Sequence, residues 1–87
     1  MRIDKDFTIQ KVGRSYVAVP VGETSKSFHG MVRLNETGAF LWNKLMEADQ
    51  TEDSLVAALL EEYDVSKDDA RADVQRLIAE LREGKVL

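Results

Sequence analysis

One histidine, His29, and no cysteine among 87 residues remove most catalytic chemistry at the outset. A Ser-His-Asp arrangement would have a single candidate base, and thiol catalysis has no nucleophile. Zinc sites built on histidine pairs or cysteines lack their ligands. The adjacent carboxylates Glu61-Glu62 and Asp68-Asp69 diverge around a helix, so they suit solvated faces and helix N-terminal charge better than paired acid–base work. The five glycines, at 13, 22, 30, 38 and 84, never gather into a phosphate-cradling loop. The chain therefore reads as a non-enzyme without a cofactor or metal. His29 itself reads first as a strand-surface residue, with a binding role as the alternative.

The elements that would position a binding surface are legible. Phe7–Val12 predicts a first strand, and Gly13-Arg14 a two-residue turn with glycine at its first central position. Ser15–Val21 predicts a second strand, with Val17, Val19 and Val21 on one face and Tyr16 and Ala18 on the other. Pro20 cannot donate to a ladder and belongs near that strand's end. Gly22–Ser27 reads as a polar loop. Phe28–Leu34 reads as a third strand interrupted by Gly30, with Phe28, Val32 and Leu34 facing one way and His29, Met31 and Arg33 the other. Asn35 then caps a helix over 36–48, whose apolar surface is Phe40, Leu41, Trp42, Leu45 and Met46. Gly38 inside it costs about 1 kcal/mol against alanine, and close packing on the sheet is its expected reason. Trp42 reads as a core anchor whose indole N–H needs a partner. Thr51 caps a second helix carrying Leu55, Val56, Leu59, Leu60 and Tyr63. Ser66-Lys67-Asp68-Asp69 resembles a capping box before a third helix, whose face is Ala70, Val74, Leu77, Ile78 and Leu81. Gly84 is placed to stop it. The fold class is α+β: a three-stranded antiparallel meander followed by three helices that cover one of its faces.

Composition narrows the partners. Residues 1–87 form one small domain, 44% apolar and 32% charged, an ordinary balance for a soluble protein. No apolar run approaches the ~20 residues of a membrane helix, so a cytoplasmic location without membrane contact is expected. Residues 1–50 hold seven lysines and arginines against six acids, whereas residues 51–87 hold five against ten. An acidic helical half is a poor footprint for nucleic acid.

Four stretches carry a family likeness: Leu34-Asn35-Glu36-Thr37-Gly38-Ala39, Tyr63-Asp64-Val65, Ala70-Arg71-Ala72-Asp73-Val74 and Leu81-Arg82-Glu83-Gly84. In that order, over about residues 7 to 87, the chain resembles the PqqD family of peptide chaperones, also called RiPP recognition elements. The resemblance implies a winged-helix-like topology. It also implies a non-catalytic chaperone that binds the leader of a ribosomally synthesised precursor peptide and presents it to a modifying enzyme. The implied enzymes are radical-SAM proteins of the SPASM type, with auxiliary iron–sulfur clusters, or lasso-peptide proteases and cyclases. Members devoted to the quinone cofactor tend to carry a Tyr-Pro-Glu-Gly-like segment where Lys26-Ser27-Phe28-His29-Gly30 stands, which leaves open whether this pathway is the quinone one or another.

A meander has two edges, and an edge presents unpaired N–H and C=O groups. The stretch 28–34 carries few charges, and Gly30 lets another backbone approach. The resemblance supplies a second wall, placing the leader between His29-Gly30-Met31-Val32-Arg33 and the flank of the last helix at Arg71, Val74, Gln75 and Ile78. Apolar leader residues are expected on Met31 and on an exposed edge of the Val74/Ile78 face, Met31 having simple packing as its alternative. Two rival functions remain open. A winged-helix DNA-binding regulator needs a basic recognition helix, whereas residues 67–83 hold four basic and five acidic residues. A self-associating structural module would pair the same edge with its own copy, as a homodimer.

Overall fold

The computed structural model describes residues 1–28 and 30–87. In chain order its elements are β1 (Phe7–Val12), β2 (Ser15–Pro20), α1 (Thr24–Ser27), β3 (Val32–Leu34), α2 (Glu36–Glu47), α3 (Glu52–Glu62) and α4 (Lys67–Glu83). The sheet has the order β1-β2-β3, antiparallel throughout, and α2, α3 and α4 follow it, so the α+β reading holds. Two compact units divide the chain: Asp4–Phe40, and Met1–Ile3 with Leu41–Leu87.

In the first unit, β1 and β2 form a hairpin in which Val12 faces Ser15 and Phe7 faces Pro20. Gly13 has φ +63° and Arg14 does not share a positive φ, the pattern of a type II′ turn. A two-residue turn makes Val12 and Ser15 a hydrogen-bonded pair, and such pairs then alternate along the ladder. The Val21 N–H donates to the Asp6 carbonyl at 3.0 Å, in step with that alternation. Ser15, Val17 and Val19 thus direct their main-chain groups at β1, and Tyr16 and Ala18 direct theirs at β3. Phe7, Ile9, Tyr16, Ala18, Val32 and Leu34 share one face by register, and Phe7, Ala18 and Leu34 are buried on it.

Two expectations change here. The third strand spans Val32–Leu34, not 28–34, because the next hydrogen-bonded pair beyond Ala18–Val32 would need an N–H from Pro20, which has none. Phe28 still reaches the Phe7 face from outside the strand, stacking edge-to-face on that ring at 5.2 Å between centroids and 83°. The presumed loop over 22–27 contains the single turn α1. Its Thr24 is buried, and the Thr24 Oγ1 accepts the Asp6 N–H at 2.9 Å.

Asn35 Oδ1 accepts the Gly38 N–H at 2.8 Å and so caps α2. A Cβ on Gly38 would lie 2.9 Å from that oxygen and 3.5 Å from the Leu34 side chain. Glycine is therefore required first by the cap and only then by packing on the end of β3.

The second unit buries Leu41, Trp42 and Leu45 of α2, Leu55, Val56 and Leu59 of α3, and all five expected residues of α4. Leu60 departs from the expected stripe and is exposed. The Trp42 indole N–H donates to the Met46 sulfur one turn on, at 3.1 Å. Thr51 and Ser54 cap α3 reciprocally, the Ser54 N–H to Thr51 Oγ1 at 3.0 Å and the Thr51 N–H to Ser54 Oγ at 2.9 Å. At α4 one arm of the box is present, the Asp69 N–H donating to Ser66 Oγ at 3.1 Å.

The end of α4 is a Schellman motif: Val86 N–H to Leu81 O at 2.8 Å and Lys85 N–H to Arg82 O at 3.1 Å. The left-handed residue is Lys85, at φ +62°, and Gly84 at φ −78° is the ordinary C-cap before it. The motif's apolar pair, Leu81 with Val86, is buried. At the other end, the Met1 ammonium donates to Asp49 Oδ1 at 2.7 Å, and the Ile3 N–H donates to the Leu45 carbonyl at 3.0 Å.

Candidate functional site

The sheet half of the expected site is the margin of β3. Tyr16–Leu34 and Ala18–Val32 are the hydrogen-bonded pairs with β2, so Val32 and Leu34 turn their main-chain groups inward. Arg33, opposite Val17, turns both its N–H and its C=O outward. Its side chain lies on the face opposite Val32 and Leu34, and it is exposed. Met31, immediately before the strand, is 66% exposed, the most open large apolar side chain among the described residues. Gly30 has φ +91°, and a Cβ there would meet open space, so it is the backbone conformation and not crowding that calls for glycine. His29 lies outside the described residues.

The helical half belongs to the other unit. Arg71, half-buried, forks onto α3, its Nη1 donating to Glu52 Oε2 and its Nη2 to Asp53 Oδ1 at 2.9 Å. The hydrogen bonds it gives to Asp53 and to Glu52 hold its charge, raising the guanidinium above its ordinary range. Gln75 Nε2 joins the same Glu52 oxygen at 3.4 Å. Arg71 and Gln75 thus converge on the first turn of α3, whose carboxylates the sequence reading did not connect with them. Val74 is fully buried and Ile78 is 9% exposed. The expected exposed edge of the Val74/Ile78 face is absent at Val74, because the stripe Ala70, Val74, Leu77, Ile78 and Leu81 is already consumed as core.

Among the described residues no group of three histidines or carboxylates is placed to hold a metal ion. No described helix is long and apolar enough to cross a membrane.

A family model described as coenzyme PQQ synthesis protein D (PqqD) matches residues 16–87. The chain belongs to the PqqD family. That match takes in β2, β3 and all the helices, and both halves of the candidate site. Among solved structures, this PqqD-family chain is similar to "TbiB1 in Complex with the TbiA(beta) Leader Peptide", with a TM-score of 0.70 and 18% identity. The likeness covers 100% of this chain and 94% of that one, and it shows a shared fold. No curated protein matches the chain.

Proposed function

We propose that this PqqD-family chain is a non-catalytic peptide chaperone, which binds the leader of a ribosomally synthesised precursor by strand addition at β3 and presents it to a modifying enzyme. The observation that carries the reading is the β3 margin, where the outward main chain of Arg33 stands beside the exposed Met31. Family membership and the fold shared with a protein solved in complex with a leader peptide support it. Residues 1–87 act as a single recognition domain in the cytoplasm. Its enzyme partner is of the radical-SAM/SPASM or protease type, and a homodimer through the same margin is the competing use of this edge.

Magnitudes set what the leader must bring. Ordering about six residues costs on the order of 6–12 kcal/mol. Each backbone hydrogen bond returns only ~0.5–1.5 kcal/mol. Two or three buried apolar side chains, at ~1.5–3 kcal/mol each, are therefore needed for net binding. Met31 offers one such surface. On α4, Arg71, Gln75 and Ile78 contribute only if the guest reaches the rim of the core, and Val74 contributes from beneath it.

The test is a calorimetric titration of the full chain with synthetic leader peptides of candidate precursors, followed by amide NMR. Binding is expected with shifts at Gly30–Leu34, and Met31→Asp is expected to weaken it about tenfold while leaving thermal stability unchanged. Heat release with shifts confined elsewhere would move the site off β3.

A further inference from the structure

Arg33 is the one residue of β3 that presents both main-chain groups to an incoming chain, and it is also the strand's only charge. None of the ion pairs or side-chain hydrogen bonds among the described residues includes it. An N–H and a C=O from a single residue are closed together by one residue of an antiparallel strand, in a two-bond ring; a parallel strand would split them between two. The residue that closes the ring has its side chain on Arg33's own face, about 4.5–5.5 Å away between Cβ atoms.

An antiparallel guest closes that ring, and, resting on the leader-binding reading above, we infer that it carries Asp or Glu directly opposite Arg33, with an apolar residue on each side. The flanking residues fall on the other face, which β2 and β3 line with Ala18, Val32 and Leu34; Ala18 is fully buried and Leu34 is 5% exposed. A polar side chain there would lose water without gaining a partner. The recognised sequence is thus apolar–acidic–apolar over three consecutive residues.

The same guanidinium works against the competing occupant. A second copy paired antiparallel about Arg33 sets two arginines opposite each other, and like charges in that position destabilise the pair. An acidic guest reverses the sign. Arg33 discriminates between the precursor and the protein's own edge.

Display selection of random dodecapeptides against the full chain at low salt reads this directly. Enriched peptides are expected to share the apolar–acidic–apolar core. Selection on Arg33→Glu is expected to replace the acid by Lys or Arg, and Arg33→Gln to lose the preference without inverting it. Synthetic peptides differing only at that position should bind in the order Glu, Gln, Lys, with roughly three- to tenfold between the ends. The spread should narrow in ~0.5 M salt. Because Arg33 is exposed, both variants are expected to keep the wild-type circular dichroism and melting profile. Peptides that bind without charge preference at that position overturn this inference and leave leader binding standing. If neither wild type nor variants select any peptide, both fall.

Discussion

Asn35 and Gly38 compete for the same few ångströms, and the competition can be measured. Asn35→Ala is expected to cost about 1 kcal/mol, the usual worth of an N-cap. Gly38→Ala should gain about 1 kcal/mol of helix propensity but push its Cβ against the capping oxygen, 2.9 Å away, and forfeit the cap. Its net effect is expected to lie within ~0.5 kcal/mol of zero, by offset of those two. In an Asn35→Ala background the clash is gone, and Gly38→Ala should then stabilise by about 1 kcal/mol. Urea unfolding of the four proteins gives the coupling. The end of α4 offers a second contrast. Lys85 occupies the left-handed region at φ +62°, where a residue with a Cβ is strained by ~1–2 kcal/mol. Lys85→Gly is expected to raise stability by up to ~1 kcal/mol, while Gly84→Ala, at an ordinary φ but with its Cβ 3.3 Å from the Glu80 carbonyl, should bring no such gain.

At the level of elements, what was legible depended on whether an element is defined by its own residues or by a partner. Helices α3 and α4 announce themselves through caps and an apolar period, and Lys67–Glu83 appears with the bounds expected of it. β1 and its turn did likewise. β3 was read four residues too long at its start, because its length is decided by a donor missing from Pro20 on the neighbouring strand. The capping glycine of α4 misled in a related way: the motif needs a positive φ one residue later than Gly84, and lysine supplies it. In the candidate site, Arg71 was visible as a residue but not as a tie, since its carboxylates lie 18 and 19 residues back on another helix. Val74 and Gln75 follow from that distinction. Val74→Ala is expected to lose about 2 kcal/mol by opening a cavity in the core. Gln75→Ala should stay within ~0.5 kcal/mol of wild type. Chemical denaturation of both separates a core position from a surface one before either is blamed for lost peptide binding.

Over the whole molecule, charge is the property that varies most. The Met1 ammonium, by hydrogen bond first and by charge second, holds the Asp49 carboxyl below its ordinary 3.8. A carboxylate whose folded value is depressed adds stability that is present above the unfolded value and is lost as pH falls through the folded one. Melting curves taken between about pH 5 and pH 2 should therefore show a larger loss in wild type than in Asp49→Asn. The acidic excess of residues 51–87 argues against a nucleic-acid role: labelled random duplex should show no retention even at ~50 mM salt.

Pro20 has one more effect, on time. By halting the ladder after Ala18, it limits how many rungs any visitor can add beside Arg33, so the dwell of a visitor is governed by a few side chains. For micromolar affinity and an ordinary association rate of ~10⁵–10⁷ M⁻¹s⁻¹, release takes between roughly a tenth of a second and ten seconds. A grip that loosens on that scale suits cargo that must be handed onward.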